Sequence, residues 1–491
     1  MNLVFGNEGW LTPTLSAATA DAIRIGGGVL MLLTLLRAVP HARRFFLSER
    51  WGGYGEAGWR VDTIQNPVVM PLVMAVWMAA AGALIAGVAI VPAAAINLAC
   101  CYYFFTAMRW RGVLRGMGAP GFVACWLAAA IFLIELTRRH LPQTAPLALL
   151  VLQVDFALVM VAAGIYKLLA GYRSWNGMEL GMVNPQWGYW SGWAGVAPRH
   201  PVFRFLNEMA WGTEVVAGVL MLLPPTRFIG GLLILVSFVF IATQIRLGFL
   251  CEMVIVITLI YFHPGSAGDV VAQTLLPGAT APAVTPWPPS AAWVLGAFLW
   301  TYLAFLPLAR FGLSYNLFMK RTLPGALQRV LDVYTNIFGM ILWRVFSADH
   351  TNFLIRIYEV SGGSRRLISN WTEHWRYHGR FNQVAEAIVV TTLFTTLKYY
   401  PSNPELFRER ILRYARTLPQ RAGSAFVFEH VRVVARQDRF DLVPAAEFTV
   451  DVAAGTVKEV TLDPSLPVRE PIAGSPLHES ARPGSYAPLK S

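Results

Sequence analysis

The sequence has few charged side chains for its length. Only 14% of its 491 residues are charged, whereas 55% are hydrophobic, the mean hydropathy is +0.49 and there are 17 tryptophans. Soluble globular domains have about 25% charged residues, so this composition disfavours that class. Long apolar stretches need either a bilayer or a very large core. The composition therefore predicts an all-α polytopic membrane bundle.

Cysteine is also scarce, with four residues at positions 100, 101, 125 and 251. All four fall in predicted membrane spans, and none has metal-ligand spacing with a histidine. We predict buried apolar cysteines without disulfides, which say nothing about the redox compartment. Two acidic residues and no basic region precede the first apolar run, so a cleavable signal peptide is not expected.

The net charge of +12 raises the question of nucleic-acid binding. There is, however, no Lys/Arg-rich tract that would follow a phosphate backbone. The arginines cluster at the ends of predicted spans and in the C-terminal portion, where they would contact anionic headgroups. We therefore expect the lipid bilayer as a partner, and no nucleic acid.

Apolar runs of about twenty residues predict about nine membrane spans. They cover residues 22–40, 67–90, 92–108, 119–137, 146–171, 207–223, 228–245, 249–263 and 290–309. The sixth to eighth are the least regular. Arg246 and Gly248 between the last two of these are compatible with a broken helix that lines a cavity.

After the last span the pattern changes, and four regions are predicted. Residues 1–312 form the membrane domain, 313–350 an amphipathic interfacial segment, 351–463 a small α+β domain and 464–491 a disordered tail. The interfacial prediction rests on apolar residues at helical spacing over 327–346. Within the α+β domain, strands are predicted at 353–360, 424–434 and 446–462, and helices at 371–399 and 404–417.

The distribution of arginines bears on orientation in the membrane. Arginines follow the first, third, fifth and ninth spans, and the loops after the second and eighth have none. The positive-inside rule then favours a cytoplasmic C-terminal domain. Arg138, Arg139 and Arg227 count against this orientation, so we leave the side of the C-terminal domain open.

The principal candidate site residue is Lys167, near the end of an apolar span. Placing an ionisable group inside a span costs at least about 2.5 kcal/mol, which makes it a functional candidate. The alternative is that the lysine extends to the headgroups, as lysines near helix ends do. A buried lysine with a lowered pKa can act as a base near neutral pH.

Other polar groups in the predicted spans are candidates for a shared site. Asp155 and Tyr166 lie about three turns apart on one helix face, whereas Lys167 lies about 120° away from Asp155. A direct Asp155–Lys167 pair is therefore not expected, and Asp155 and Glu214 could equally be structural. Further candidate ligand-binding residues are Trp175, Glu214, Gln244, Arg246 and Glu252. We expect no metal site, because His374 and His378 lack the His-Glu-x-x-His pattern and a third ligand.

The segment Ala163–Leu168 closes a span and is followed by Trp175-x-Gly177. These motifs resemble the HTTM (horizontally transferred transmembrane) domain superfamily, which includes vitamin K-dependent γ-glutamyl carboxylases and lipase maturation factors. Further similarities are Glu214 in the next helix, the Leu247–Phe249 turn, and the Asn336–Gly339 segment before the predicted strand at 353–360. The resemblance covers roughly residues 20–365.

This resemblance implies a quinone ligand and a specific role for Lys167. In the carboxylases, the matching lysine deprotonates vitamin K hydroquinone; oxygenation then gives a base that removes a glutamate γ-proton, and the carbanion captures CO2. The chain departs from this pattern, because Met108–Pro120 and Phe240–Gln244 lack histidines that the carboxylases have there. These departures argue against glutamyl carboxylation. The family's C-terminal part faces the lumen or periplasm, opposite to the arginine distribution.

Three functions are therefore considered. The first is a quinone-using membrane enzyme, carboxylase-like or an oxidoreductase, with Lys167 as base and Glu214 or Asp155 shaping its pKa. The second is a non-enzymatic maturation or assembly factor that captures an exported protein through the C-terminal domain and the Trp-rich loop. The third is a carrier that holds a lipid or another small molecule at the polar cluster.

Overall fold

The computed structural model describes residues 11–108, 118–319, 321–343, 347–369, 380–419 and 425–470. The membrane domain is built from helices that run back and forth along the bundle. They are α1 (Ala17–Ala38), α2 (Ala42–Phe46), α3 (Trp59–Asp62), α4 (Val69–Ala86), α5 (Ile90–Cys101), α6 (Gly118–His140), α7 (Ala145–Leu169), α8 (Met178–Val183), α9 (Pro201–Leu222), α10 (Arg227–Gln244), α11 (Leu250–Thr258), α12 (Ala267–Leu275) and α13 (Pro289–Phe318).

Among the described residues, seven helical segments are long and apolar enough to cross a membrane. They are Ala17–Phe46, Val69–Ala86, Ile90–Ala107, Ala119–His140, Pro142–Ser174, Pro224–Gln244 and Pro289–Phe318. The predicted count of nine is not confirmed. Of the two remaining predicted spans, α9 carries Arg204, Glu208 and Glu214, and α11 is only nine residues long.

The bundle has two ends, which are distinguished by the contacts made at the helix termini. At one end, Thr19 of α1 donates a 2.8 Å hydrogen bond to Asp269 of α12, and the N–H of Trp287 donates to the carbonyl of His140 at 3.0 Å. The other end carries the C-terminal domain. Lys167 lies in the last turn of α7, at this second end.

Helix α14 (Gly325–Ile337) packs alongside α13 instead of extending away from it. The hydroxyl of Tyr334 donates to the carbonyl of Tyr302 at 2.7 Å, and Phe338 contacts the rings of Phe298 and Tyr302. The chain thus turns back along α13 to about its midpoint. Residues 313–318 of the predicted interfacial segment 313–350 belong to α13, and α14 ends at Ile337; the interfacial location of α14 stays a prediction.

The C-terminal domain combines a five-stranded antiparallel sheet with helices α15 (Ala348–Thr351), α16 (Arg380–Tyr399) and α17 (Pro404–Arg416). The strands are β1 (Phe353–Ser361), β2 (Ser364–Leu367), β3 (Ala425–Ala435), β4 (Phe440–Asp451) and β5 (Thr456–Thr461), in the order β2-β1-β3-β4-β5. Phe394 and Phe407 from α16 and α17 pack on Phe448 of the sheet. The small α+β domain is therefore present as a helix-covered sheet.

Two predicted boundaries in this domain need correction. Residues 446–462, predicted as a single strand, belong to two strands, β4 and β5. A turn that contains Gly455 joins them, and the positive φ of Gly455 favours glycine at this position. Residues 464–470 are not disordered, since Val468 is buried and the carbonyl of Pro467 accepts a hydrogen bond from Arg432 at 3.2 Å. Residues 371–379 of the predicted helix lie outside the described residues.

Loops of the membrane domain hold the C-terminal domain in place. Arg44, just after α1, forms an ion pair with Glu386, and Arg413 pairs with Glu49 at 3.0 Å. On another side, the amide of Asn184 donates to the carbonyls of Thr351 and Phe353 at 2.8 and 2.7 Å. The domain is therefore attached through buried polar contacts to loops from two separate parts of the chain.

Candidate functional site

Lys167 and Glu214 form a buried ion pair between α7 and α9. The ammonium of Lys167 donates a hydrogen bond to Oε1 of Glu214, and the two side chains are only 5% and 4% exposed. Lys167 therefore does not extend to the headgroups. A buried charge needs a partner of opposite sign, because transfer from water into an apolar interior is costly. Each of these residues supplies that partner for the other.

Two glycines bring the helices close enough for this pair to form. A Cβ atom on Gly164 would lie 2.6 Å from the backbone oxygen of Trp211, and one on Gly218 would lie 2.9 Å from the backbone oxygen of Ala157. Both separations are closer than a real side chain allows. Small residues at such positions let helix backbones approach closely. The Ala-Gly sequence before Lys167 is thus part of the site's geometry.

Glu214 is only partly satisfied by Lys167. Its second oxygen, Oε2, is buried and has no hydrogen-bond partner among the described residues. Buried polar atoms without a partner are uncommon in native proteins, and such an atom calls for an explanation. This oxygen can accept a proton or a hydrogen bond from a ligand hydroxyl. The pair therefore has unused hydrogen-bonding capacity inside the protein.

A second buried carboxylate, Glu179 in α8, lies close by and was not anticipated from the sequence. It accepts hydrogen bonds from the N–H of Gly177 at 2.9 Å and from the amide of Asn207 at 2.7 Å. Tyr172 lies close enough to Glu179 and Glu214 to interact electrostatically with both. Burial raises the pKa of Glu179, and its two hydrogen bonds oppose that shift. The signal that could have revealed it is a lone acidic residue in the apolar run Met178–Val183.

The Trp175-x-Gly177 motif shapes the loop over this region. Trp175 has a φ of 60°, in the left-handed region, which is uncommon for a bulky residue. A Cβ on Gly177 would lie 2.4 Å from the side-chain oxygen of Asn207 and 2.8 Å from the ring of Tyr172. Glycine is therefore required at 177 for the loop to close onto α9. Trp175 itself packs beside Leu180 and Phe203 under the C-terminal sheet.

Asp155 belongs to a different cluster. It pairs with Arg310 of α13 at 2.7 Å, and its other oxygen accepts hydrogen bonds from Trp126 at 3.0 Å and Tyr302 at 2.9 Å. Arg310 also donates to the carbonyl of Ile341 at 3.3 Å, in the non-helical stretch after α14. Backbone without regular structure at membrane depth needs such internal donors. The structure thus brings Lys167 together with Glu214, and Asp155 together with Arg310.

Of the remaining predicted site residues, Tyr166 interacts electrostatically with Tyr172 beside the pair, and the others lie near the α10–α11 junction. Tyr166 is fully buried and packs against Phe318 at 6.1 Å between ring centroids. Gln244 accepts a hydrogen bond from the indole of Trp193 at 3.2 Å, and Arg246 lies over the ring of Tyr189. Glu252 is half-buried in the first turn of α11. The α10–α11 junction is therefore tied to the Trp-rich segment at 187–193.

Comparison with known proteins finds no matching family model, curated protein or solved structure. Any function must therefore be argued from this chain's own residues. Among the described residues, no group of three or more His, Cys, Asp or Glu side chains could hold a metal ion. His374 and His378 lie outside that part of the chain.

Proposed function

We propose that this integral membrane protein is an enzyme that removes a proton from a hydroxyl group of a lipid-soluble reduced quinone. Lys167 acts as the base and Glu214 as its proton-sharing partner. The observation that carries this proposal is the buried Lys167–Glu214 pair, in which one carboxylate oxygen has no partner among the described residues. In the Asp155–Arg310 pair the atom without a partner is a guanidinium nitrogen, whereas here it is a carboxylate oxygen, which can accept a proton.

The proton balance follows from the pair itself. If the ammonium of Lys167 passes a proton to Glu214, the result is a neutral amine beside a neutral carboxylic acid. The amine then accepts the hydroxyl proton of the substrate, which leaves an ammonium next to a substrate oxyanion. Attraction between these two charges stabilises the product of the step.

The surroundings suit an apolar, aromatic ligand. The pair lies near the end of α7, and Ile165 and Leu169 on the same helix expose their side chains to the outside of the bundle. A quinone dissolved in the bilayer can therefore contact this side of α7, which lies about 160° around the helix from Lys167, and must pass around the helix to reach the pair. The resemblance of the Lys167 and Trp175-x-Gly177 motifs to the HTTM superfamily supports the same substrate class. We do not extend the proposal to glutamyl carboxylation, since the two expected histidines are absent.

The proposal can be tested with purified protein in proteoliposomes and a naphthohydroquinone, following O2 uptake and quinone formation. O2 serves as the oxidant of the deprotonated hydroquinone. Lys167→Met should abolish the activity, and so should Lys167→Met/Glu214→Leu, an apolar replacement that removes both charges and should fold. Lys458→Met, which removes an exposed lysine on β5, is the matched control and should keep full activity. Full activity in the folded double variant would overturn the proposal.

A maturation factor and a carrier remain the alternatives. As a maturation factor, the chain would lose partner capture when residues after 350 are deleted, and Lys167→Met would leave capture intact. As a carrier, it would move its ligand into vesicles without any quinone. The Trp-rich loop and the start of α9 pack on the C-terminal sheet, with Trp193 against Phe203 and Phe203 of α9 against Phe440. Because they bury one another, we favour the enzyme.

A further inference from the structure

A cleft at the bundle surface lies next to the Lys167–Glu214 pair. It has a volume of about 620 Å³ and is lined by Arg173, Trp175, Arg204 and Glu208. Glu208 lies six residues before Glu214 on α9, and Arg173 lies in the short turn beyond α7, so the cleft is further along the bundle than the pair. The cleft is open to the outside, whereas the pair beneath it is closed.

Two of the three charged side chains that line the cleft pair with each other, and the third does not. Arg173 pairs with Glu208 at 3.3 Å and stacks over the ring of Trp211, whose indole N–H donates to Glu208 at 2.9 Å. Arg204 is exposed and forms no hydrogen bond or ion pair with any described residue. One carboxylate therefore faces two guanidinium groups. The cleft keeps a net positive charge and one arginine with all its donors free.

The surface next to the cleft is suited to acyl chains. Helix α9 exposes Phe205, Met209, Val216 and Val219 in a stripe that begins immediately after Arg204. Successive members are four, seven and three residues apart, so they lie along one side of the helix. An arginine at the edge of a lipid-facing stripe, with a tryptophan beside it, is the arrangement expected at a membrane interface.

We propose that this cleft binds the phosphate group of an anionic membrane lipid, with the acyl chains lying along α9. Arg204 donates to the phosphate oxygens, and Arg173 contributes to the positive field while it remains paired with Glu208. Arginine suits this role because its guanidinium donates two parallel hydrogen bonds to a phosphate. This site does not depend on Lys167 acting as a base.

The test uses the full chain purified in neutral detergent, with lipid retention measured by native mass spectrometry. Phosphatidylglycerol, phosphatidylcholine and inorganic phosphate are the three probes. We expect phosphatidylglycerol to bind most tightly, and Arg204→Gln to weaken it about 5-fold, corresponding to about 1 kcal/mol for one basic residue near an anionic surface. Arg321→Gln is the matched control: it removes an exposed arginine just beyond α13, outside the cleft, and should leave binding unchanged.

Three results would overturn the inference. An equal loss in the Arg204 and Arg321 variants would mean general surface attraction instead of a site. Equal binding of phosphatidylcholine in the wild type, insensitive to Arg204→Gln, would remove the role of anionic charge. Arg204-dependent binding of inorganic phosphate without phosphatidylglycerol would assign the cleft to a soluble phosphate. Lys167→Met should retain the lipid, so a failure of the proposed enzyme activity would leave this inference standing.

Discussion

Two of the buried ion pairs in the described part of the membrane domain differ in whether both carboxylate oxygens have hydrogen-bond partners. In the Asp155–Arg310 pair, both carboxylate oxygens are used: one by Arg310, the other by Trp126 and Tyr302. In the Lys167–Glu214 pair, one oxygen is bonded to the ammonium and the other has no partner among the described residues. The two pairs are about equally buried, so burial does not distinguish them.

Under the proposed function, this difference separates a structural pair from a reactive one. A carboxylate whose two oxygens both accept hydrogen bonds from fixed donors does not readily take up a proton. Asp155 also helps to hold Arg310 against the carbonyl of Ile341. A carboxylate with a lysine beside one oxygen and no partner at the other can take up or release a proton with little rearrangement. We therefore assign architecture to Asp155–Arg310 and proton transfer to Lys167–Glu214. The two assignments predict opposite responses to mutation.

The largest effect is expected at Lys167. Lys167→Met should lower the rate of quinol deprotonation by about 10²- to 10⁴-fold, the usual contribution of a general base. Quinone formation per milligram of folded protein is the measurement. Arg310→Met, assayed in the same way, should keep activity within a few-fold of wild type. A comparable loss of activity in both variants would contradict the division between the two pairs.

The next largest effect concerns stability at Arg310. Arg310→Met leaves Asp155 charged and buried, which costs about 3–5 kcal/mol when one member of a buried pair is removed. Thermal unfolding in detergent should show a clear decrease in the midpoint temperature. Asp155→Leu/Arg310→Met, which removes both charges, should recover most of that loss. If the double variant were as unstable as the single one, the pair would not be the cause.

A smaller effect is expected from widening the α7–α9 seam. Gly164→Ala places a methyl group against the backbone of Trp211 and should cost about 1–3 kcal/mol by overpacking. It should also reduce quinol activity, because the Lys167–Glu214 contact lengthens. Gly212→Ala is the control, since its added methyl would meet nothing within 4 Å. Equal behaviour of the two alanine variants would show that close helix approach is not needed.

The last effect depends on pH and comes from a buried lysine outside the membrane domain, which extends the comparison. Burial lowers the pKa of Lys398 to about 7, and Asp349 opposes this shift. Above pH 7 the folded protein holds a neutral amine, whereas the unfolded chain stays protonated up to its ordinary pKa. The unfolded state thus binds more protons, and stability should rise with pH over this range by at most about 1.4 kcal/mol per pH unit.

Unfolding midpoints between pH 8 and 10 test this expectation. That range lies above the titration of His430, whose pKa burial also lowers. Wild type should gain stability relative to Lys398→Met as the pH rises, because the variant has no amine to titrate. Lys458→Met retains Lys398 and should follow wild type. Parallel curves for wild type and Lys398→Met would show that the buried amine keeps its ordinary pKa.

The helical membrane class and the small α+β domain could be predicted from the sequence, because apolar length and strand alternation are local signals. Lys167 and Glu214 could be selected as lone charges in apolar helices. The pairing itself could not be predicted, since it depends on helix rotation and on contacts between residues 47 positions apart.

The true end of α13 and the Glu179–Asn207 contact could not be predicted from the sequence, for related reasons. The predicted ninth span ends just before Arg310, because the apolar pattern in the sequence stops at this first charge. The helix in fact continues to Phe318, and Arg310 is directed into the bundle toward Asp155. Glu179 and Asn207 lie 28 residues apart and meet only because the loop between them folds back. Such tertiary partners have no counterpart in local spacing.

The C-terminal sheet covers the residues around the Trp-rich loop at 187–193, and this contact has a consequence for biosynthesis. Leu180 of α8 and Phe203 of α9, on either side of the Trp-rich loop, are buried by Val431 and Phe440 of the C-terminal sheet. A ribosome adding about 5–20 residues per second reaches that sheet roughly 10 to 50 s after it makes the loop. During this interval the nascent chain exposes an apolar, tryptophan-rich surface beside the bilayer. The lipid headgroup region, or a chaperone, must shelter it until the last strands are synthesised.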